Sequence, residues 1–149
     1  MRAAADGSGV GRVTDPYIEH VLHHRVPAAG GIPSRILVCG EAPGADEERL
    51  GKPFVGKSGW LLDQMIGEAG GSRGECFVTN VCKYRPPGNK LEDTKRAWWT
   101  ASKSKAAASG CTHFADGMFY NDLMAEGLDD LRQEIARVRP QCIVGVGNA

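Results

Sequence analysis

Three short apolar segments, separated by amphipathic stretches, constrain the fold of this chain more than any other feature. Residues 36–39, 76–81 and 142–147 are rich in Ile, Val, Leu, Cys and Phe, as are strands that are buried on both faces of a parallel sheet. Residues 59–70 and 123–138 repeat apolar side chains at helical spacing. Alternation of strand and helix favours right-handed crossovers, so the sequence predicts a three-layer α/β/α fold around a central parallel sheet.

The length of 149 residues fits one domain with one core. Residues 1–30 are expected to form a flexible N-terminal segment, because Gly, Ala and Ser dominate its first half, with a short helix at 17–22. Residues 31–149 form the predicted domain, and residues 93–118 read as an irregular basic insertion within it. Because the chain stops directly after its third strand, we expect this domain to be incomplete, lacking a C-terminal strand and loop.

Charge and cysteine usage favour an ordinary intracellular protein. The 18 basic residues balance the 18 acidic ones, so a surface for nucleic acid would have to be local. The N-terminus has no apolar signal core, and no apolar run reaches membrane-spanning length. The five cysteines include no Cys-x-x-Cys pair, which favours reduced thiols and supports no metal site. We therefore expect a cytoplasmic protein without a membrane partner.

Chemically active side chains follow the first two predicted strands. Glu41 follows the first strand, Asn80 lies near the end of the second, and Phe54 lies on a loop that Pro53 stiffens. Ligands of such sheets bind where strands end. There a ring can stack on a flat base, an amide can read its edge, and a carboxylate can handle a water or a cationic sugar. The structural alternatives are a core position for Phe54 and a turn-forming role for Asn80.

The loop after the first strand carries further carboxylates, among them Glu47 and Glu48. Either could share the chemistry of Glu41, or both could form a solvated loop face.

A basic stretch follows the second strand and contains two tryptophans. Its composition is typical of a surface that contacts phosphates, although a solvated loop with packed tryptophans would look the same. Its members are Lys83, Arg85, Lys90, Lys95, Arg96, Trp98, Trp99, Lys103 and Lys105.

Residues Gly51 to Ser58 match the phosphate-loop pattern G-x-x-x-x-G-K-[ST]. A phosphate loop needs a strand that leads directly into its first glycine. Here the predicted strand ends near Cys39, and acidic residues lie between. A nucleotide hydrolase that uses Lys57 is therefore the weaker alternative.

Taken together, three blocks closely resemble the family 4 type of uracil-DNA glycosylase and its phage relatives. The resemblance covers roughly residues 35–91 and 122–149. The blocks are Gly40-Glu41-Ala42-Pro43-Gly44, the segment from Gly51 to Gly59, and the segment from Thr79 to Asn89.

This resemblance implies an enzyme that excises uracil from DNA by base flipping and hydrolysis of the N-glycosidic bond. It implies that Phe54 stacks on the flipped uracil and that Asn80 binds its edge and excludes cytosine. Glu41 and Ala42 would line the pocket, and Glu47 would be the acidic residue that handles water or the cation.

The resemblance also implies partners and surroundings. The partner would be uracil-containing DNA, single- or double-stranded, and we expect Lys83, Arg85 and Lys90 to contact it. We expect a monomer in the cytoplasm, or in the host cytoplasm if a phage encodes the chain.

Two departures from the resemblance matter. The family's iron–sulfur cluster uses an N-terminal Cys-x-x-Cys and a cysteine before Arg-Pro-Pro. Here the N-terminal pair is absent and Tyr84 precedes Arg85, so we expect no cluster and no other cofactor. The family's His-Pro loop would lie beyond Ala149. Its absence would remove a donor to the leaving oxygen and would leave a weak or inactive glycosylase, or a non-catalytic module that binds uracil or single-stranded DNA.

Overall fold

The structure is a computed structural model and describes residues 16–92 and 97–147. Residues 1–15, half of the predicted flexible segment, lie outside the described residues. The strands are β1 Ile36–Gly40, β2 Cys76–Asn80, β3 Trp99–Thr100, β4 His113–Ala115, β5 Met118–Tyr120 and β6 Cys142–Gly145. The helices are α1 Pro16–His23, α2 Ala45–Leu50, α3 Lys57–Glu68, α4 Lys103–Ser109 and α5 Asp122–Val138, with 3-10 turns at Arg73–Glu75 and Pro87–Asn89.

The central sheet is parallel, with strand order β2-β1-β6. Alternation along β1 sends Leu37 to one face and Val38 to the other. Leu37 packs with Val138 of α5, whereas Val38 packs with Leu62 of α3. Helices therefore cover both faces, which confirms the predicted α/β architecture. The parallel pairing of β1 and β2 also directs their carboxyl ends to the same edge of the sheet, where Gly40 lies opposite Asn80.

The part of the basic insertion that the structure describes is folded, which corrects the expectation of an irregular segment. Strands β3, β5 and β4 form a small antiparallel sheet in that order, and α4 packs against β3. The turn between β4 and β5 is Asp116-Gly117, and both residues have positive φ, 52° and 80°. Asp-Gly in such a turn is a strong hairpin signal, but strands of two or three residues leave no readable alternation.

Two other elements differ from the sequence prediction. Helix α2 has only six residues and no apolar stripe, so periodicity could not reveal it. The segment from residue 20 to residue 30 packs on the domain rather than standing apart from it. Val21 and Val26 are buried, and Ala29 pairs with Val78 at the outer edge of β2.

None of the helices in the described part of the chain is long and apolar enough to cross a bilayer.

Helix α5 lies close to the chain after β2 at Gly127. A methyl group on this glycine would lie 2.2 Å from the carbonyl oxygen of Val81. We predict that Gly127→Ala destabilises the protein by about 1–3 kcal/mol, because the helix must move away from the chain after β2. Gly67→Ala in α3 is the matched control. No atom lies within 4 Å of the added methyl, so it should stabilise by up to ~1 kcal/mol. Urea unfolding of both variants measures the difference, and equal effects would contradict this packing.

Candidate functional site

A cavity of about 1190 Å³ opens at the carboxyl ends of β1 and β2 and continues along α3 and β6. In a parallel α/β sheet this edge is the expected place for a ligand. The cavity is lined by five residues that the sequence singled out, which are Glu41, Ala42, Glu47, Phe54 and Asn80. The sheet thus brings them together from segments up to 39 positions apart.

The Phe54 ring and the Asn80 carboxamide meet above Gly40. A methyl group on Gly40 would lie 2.5 Å from Cζ of Phe54 and 2.4 Å from Oδ1 of Asn80. Only a glycine at the end of β1 therefore leaves room for both groups. The aromatic ring and the amide face the same space, which is what recognition of a flat polar base requires. The motif from Gly40 to Gly44 contains this glycine, but the sequence does not show that two side chains meet over it.

Asn80 is nearly buried, at 5% exposure, and its side chain lines the cavity. Within the described residues its carboxamide makes no hydrogen bond, whereas its main-chain oxygen accepts from the Lys83 ammonium. A turn-forming asparagine would instead bond to neighbouring main-chain groups. The amide of Asn80 is therefore a donor and acceptor pair that is available to a ligand.

The backbone of Phe54 adopts the left-handed region, with φ of 54°. This conformation is costly for a residue with a bulky side chain and persists only where surrounding contacts hold it. One side of the ring packs in the core with Val38, Leu62 and Val78, while Phe54 also lines the cavity. Phe54 is thus both a core residue and part of the cavity wall.

Arg73 holds the Phe54 loop from the side of α3. Its guanidinium donates to the main-chain oxygens of Pro53, Phe54 and Gly59, at 3.3, 2.5 and 3.3 Å, and to the carboxylate of Asp63 at 2.5 Å. A methyl group on Gly59 would lie 1.9 Å from the Phe54 oxygen, so the helix and the loop are in direct contact. Sequence reasoning missed Arg73, because nothing in its local sequence points to a loop 19 residues away.

Glu47 holds the same loop from the other side. It is buried, and its carboxylate accepts hydrogen bonds from the main-chain N–H groups of Gly44, Val55 and Gly56, at 3.1, 3.0 and 2.9 Å. These three bonds occupy most of the acceptor capacity of a carboxylate. Glu47 therefore connects the start of α2 to the Phe54 loop.

This arrangement also bears on the phosphate-loop pattern. Helix α2, rather than a strand, leads into Gly51, and the N–H groups of Val55 and Gly56 already bind the Glu47 carboxylate. In a phosphate loop such N–H groups bind phosphate oxygens. Here the anion that they bind is part of the protein.

Lys83 lies where DNA cannot reach it, which corrects its predicted role as a DNA contact. Its side chain has no exposed surface. The ammonium donates to Thr79 Oγ1, the Asn80 main-chain oxygen and Glu134 Oε2, at 2.6, 2.8 and 2.9 Å. The lysine is thus an internal cross-link between the end of β2 and α5.

The other two predicted DNA contacts lie at the surface. Arg85 is about one-third exposed and donates to Glu48 at 3.2 Å and to Asn89 at 2.7 Å. Glu48 is therefore in an ion pair rather than on a solvated loop face. The same contacts hold the Arg85 guanidinium near the cavity, which Pro86 and Asn89 help to line. Lys90 is exposed.

The family model of the uracil DNA glycosylase superfamily matches residues 27–149 of this chain. These residues include strands β1 and β2 and every residue of the site. The chain belongs to the uracil DNA glycosylase superfamily.

Individual members are similar over a shorter stretch. A type-4 uracil-DNA glycosylase of Pyrobaculum aerophilum is 46% identical over 65 residues, which are 44% of this chain and 33% of that protein. The type-4 enzyme of Sulfurisphaera tokodaii is 50% identical over 66 residues, 44% of this chain and 30% of that protein. That of Thermotoga maritima is 42% identical over 65 residues, 44% and 34% respectively. The chain thus spans about a third of the length of the curated relatives that it matches.

The described residues do not fit the iron–sulfur cluster that the family resemblance implies. Cys82 is buried, its thiol donates to the Tyr84 main-chain oxygen, and desolvation raises the pKa of that thiol to about 12. Tyr84 stands before Arg85, where the resemblance calls for a cysteine, and its hydroxyl donates to Glu126. Among the described residues no group of three or more His, Cys, Asp or Glu side chains is arranged to hold a metal.

Substitution of Glu47 tests whether its carboxylate holds the Phe54 loop in place. We predict that Glu47→Gln destabilises the protein by about 1–3 kcal/mol, because an amide NH₂ must then face a main-chain N–H. Asp46→Asn is the control. Asp46 is exposed and pairs with Arg49 at the surface, so its loss should cost at most ~1 kcal/mol. Thermal unfolding compares the two variants, and equal losses would contradict the role given to Glu47.

Proposed function

We propose that this chain recognises uracil flipped out of DNA and hydrolyses its N-glycosidic bond. One observation carries the proposal, namely that the Phe54 ring and the unbonded Asn80 carboxamide meet at Gly40 inside a cavity that Glu41 also lines. Membership of the superfamily and similarity to type-4 uracil-DNA glycosylases support the same function.

Recognition of uracil follows from the amide of Asn80. Uracil presents a carbonyl oxygen beside an N–H, so one carboxamide can donate to the first and accept from the second. Cytosine presents an amino group in place of that oxygen, which sets donor against donor. Stacking of the base on Phe54 would add sequence-independent affinity. Ala42, half-buried beside Glu41, would form the wall of the pocket.

Hydrolysis requires a water at C1′ and stabilisation of the sugar cation. The bond between C1′ and the base nitrogen breaks and uracil leaves with the electron pair, while the water oxygen bonds to C1′ and the proton that the water loses passes to the uracil anion. Glu41 is exposed at the carboxyl end of β1 and lines the cavity, so it can hold this water and face the positive sugar. Glu47 would keep one lone pair for the same water, and its main role would be to hold the Phe54 loop.

The proposed substrate is uracil-containing DNA, single- or double-stranded. Arg85 and Lys90 are its proposed phosphate contacts. The protein would act as a monomer in the cytoplasm, without an iron–sulfur cluster or another cofactor, and so as a cluster-free, phage-like relative of the type-4 enzymes.

Substitution of Asn80 tests the proposal. We predict that Asn80→Asp lowers the affinity for a single-stranded oligonucleotide with one uracil by about tenfold or more, and reduces uracil release, because a carboxylate cannot donate to the uracil oxygen. Fluorescence anisotropy measures binding, and alkaline cleavage of the abasic product measures release. The uracil oligonucleotide is compared with one that has cytosine at the same position.

Asn121→Asp is the matched control for this experiment. Asn121 caps α5 by accepting from the N–H of Met124, and aspartate caps a helix equally well. Its binding should equal that of the wild type. Uracil-selective binding that depends on Asn80 without release of uracil would favour the alternative of a binding module. Equal binding of uracil and cytosine oligonucleotides by the wild type would overturn the proposal.

Arg85 generates a separate prediction. Arg85→Ala should weaken binding to uracil and cytosine oligonucleotides alike and reduce the slope of log K against log salt by about 1, because one phosphate contact is lost. Arg132→Ala is the control, since Arg132 is an exposed arginine that pairs with Asp129 on α5. An unchanged salt slope in Arg85→Ala would remove this residue from the DNA surface.

A further inference from the structure

The buried cluster of Thr79, Lys83 and Glu134 lies on the face of the sheet opposite the cavity. Thr79 and Asn80 are consecutive in β2, so their side chains point to opposite faces. Thr79 therefore faces α5, where its hydroxyl donates to Glu134 at 2.8 Å, while Asn80 faces the cavity. A hydrogen bond to the main chain between Thr79 and Asn80 therefore affects the side chains on both faces of the sheet.

The main-chain oxygen of Asn80 lies at an unpaired part of the sheet edge. Val78 exchanges two hydrogen bonds with Ala29 on the outer side of β2, and Asn80, two residues on, points to the same side. The chain before Ala29 runs on beside β2, but among the described residues its Val26 N–H donates to the main-chain oxygen of Lys83 and no main-chain N–H donates to that of Asn80. The Lys83 ammonium donates to the Asn80 oxygen at 2.8 Å and so takes the place of a ladder partner.

All three protons of this ammonium have acceptors, which are Thr79, Asn80 and Glu134. Such a fully bonded ion pair restrains the groups that it joins, although it need not stabilise the fold relative to apolar side chains of similar size. Glu134 is anchored in turn on α5, the longest helix of the described part.

We propose that Lys83 and Glu134 are positioning residues for Asn80. They fix the peptide at the end of β2 and thereby aim the carboxamide at the base. The inference rests on the proposed function, since it states that Lys83 and Glu134 determine how precisely the site distinguishes uracil from cytosine. An amide displaced by about 1 Å can cost roughly a hundredfold in a reaction that depends on its position.

The test replaces both charges together, because either single change would leave a buried charge without a partner. The variant Lys83→Met with Glu134→Leu keeps the volume and is expected to remain folded by circular dichroism. The first readout is the ¹⁵N order parameter of the Asn80 side-chain amide, assigned by its disappearance in Asn80→Asp. We expect it to fall from the rigid range to below about 0.6, while the main-chain amides of β1 remain rigid.

The second readout is the ratio of uracil to cytosine oligonucleotide affinity, which we expect to fall tenfold to a hundredfold in the double variant. The control applies the same kind of exchange to an exposed pair on α5, as Arg132→Met with Asp129→Leu, and should leave both readouts unchanged.

The two readouts separate failure of this inference from failure of the proposed function. An Asn80 amide that stays rigid in the folded double variant overturns the inference, whatever the oligonucleotides do. If the wild type does not distinguish uracil from cytosine, the proposed function is overturned. The order parameter of the Asn80 amide then still decides whether Lys83 and Glu134 position that amide. If the double variant does not fold, Thr79→Val decides, because it removes one acceptor of the ammonium and should loosen the same amide to a smaller degree. An unchanged amide in Thr79→Val then overturns the inference.

Discussion

The parallel pairing of β1 with β2 is the constraint on which the site depends. It sets Gly40 opposite Asn80, and the missing side chain at Gly40 is the space into which the Phe54 ring and the Asn80 amide project. A shift of one residue in this register would turn Asn80 toward α5 and remove it from the cavity. The geometry of the candidate site is therefore a consequence of strand register before any loop is considered.

The loop that carries Phe54 is held from two sides by groups of opposite charge. The Glu47 carboxylate accepts from the N–H groups just after Phe54, and the Arg73 guanidinium donates to the oxygens of Pro53 and Phe54. These bonds offset the cost of the left-handed conformation at Phe54. Two main-chain donors within the phosphate-loop pattern, Val55 and Gly56, thus already bind a carboxylate of the same chain.

Much of this could be read from the sequence, and the misses share a cause. The apolar runs around Val38 and Val78 predicted the central sheet, and the spacing of the motifs pointed to Glu41, Phe54 and Asn80. Lys83 was misjudged because lysine is rarely buried without a partner, and its partner Glu134 lies 51 positions away. Arg73 was overlooked because the loop that it binds is also distant in the sequence. The small sheet of β3, β5 and β4 was missed because its strands are too short to show a period.

The sequence by itself determined the alternation of strands and helices, the side of the sheet on which a ligand binds, and the chemical groups available there, because these depend on local periodicity and on residue type. Tertiary structure alone decided which charged residues lie at the surface and which are internal cross-links. The charge of a side chain is local information, whereas its burial and its partner depend on which distant segments the fold brings into contact.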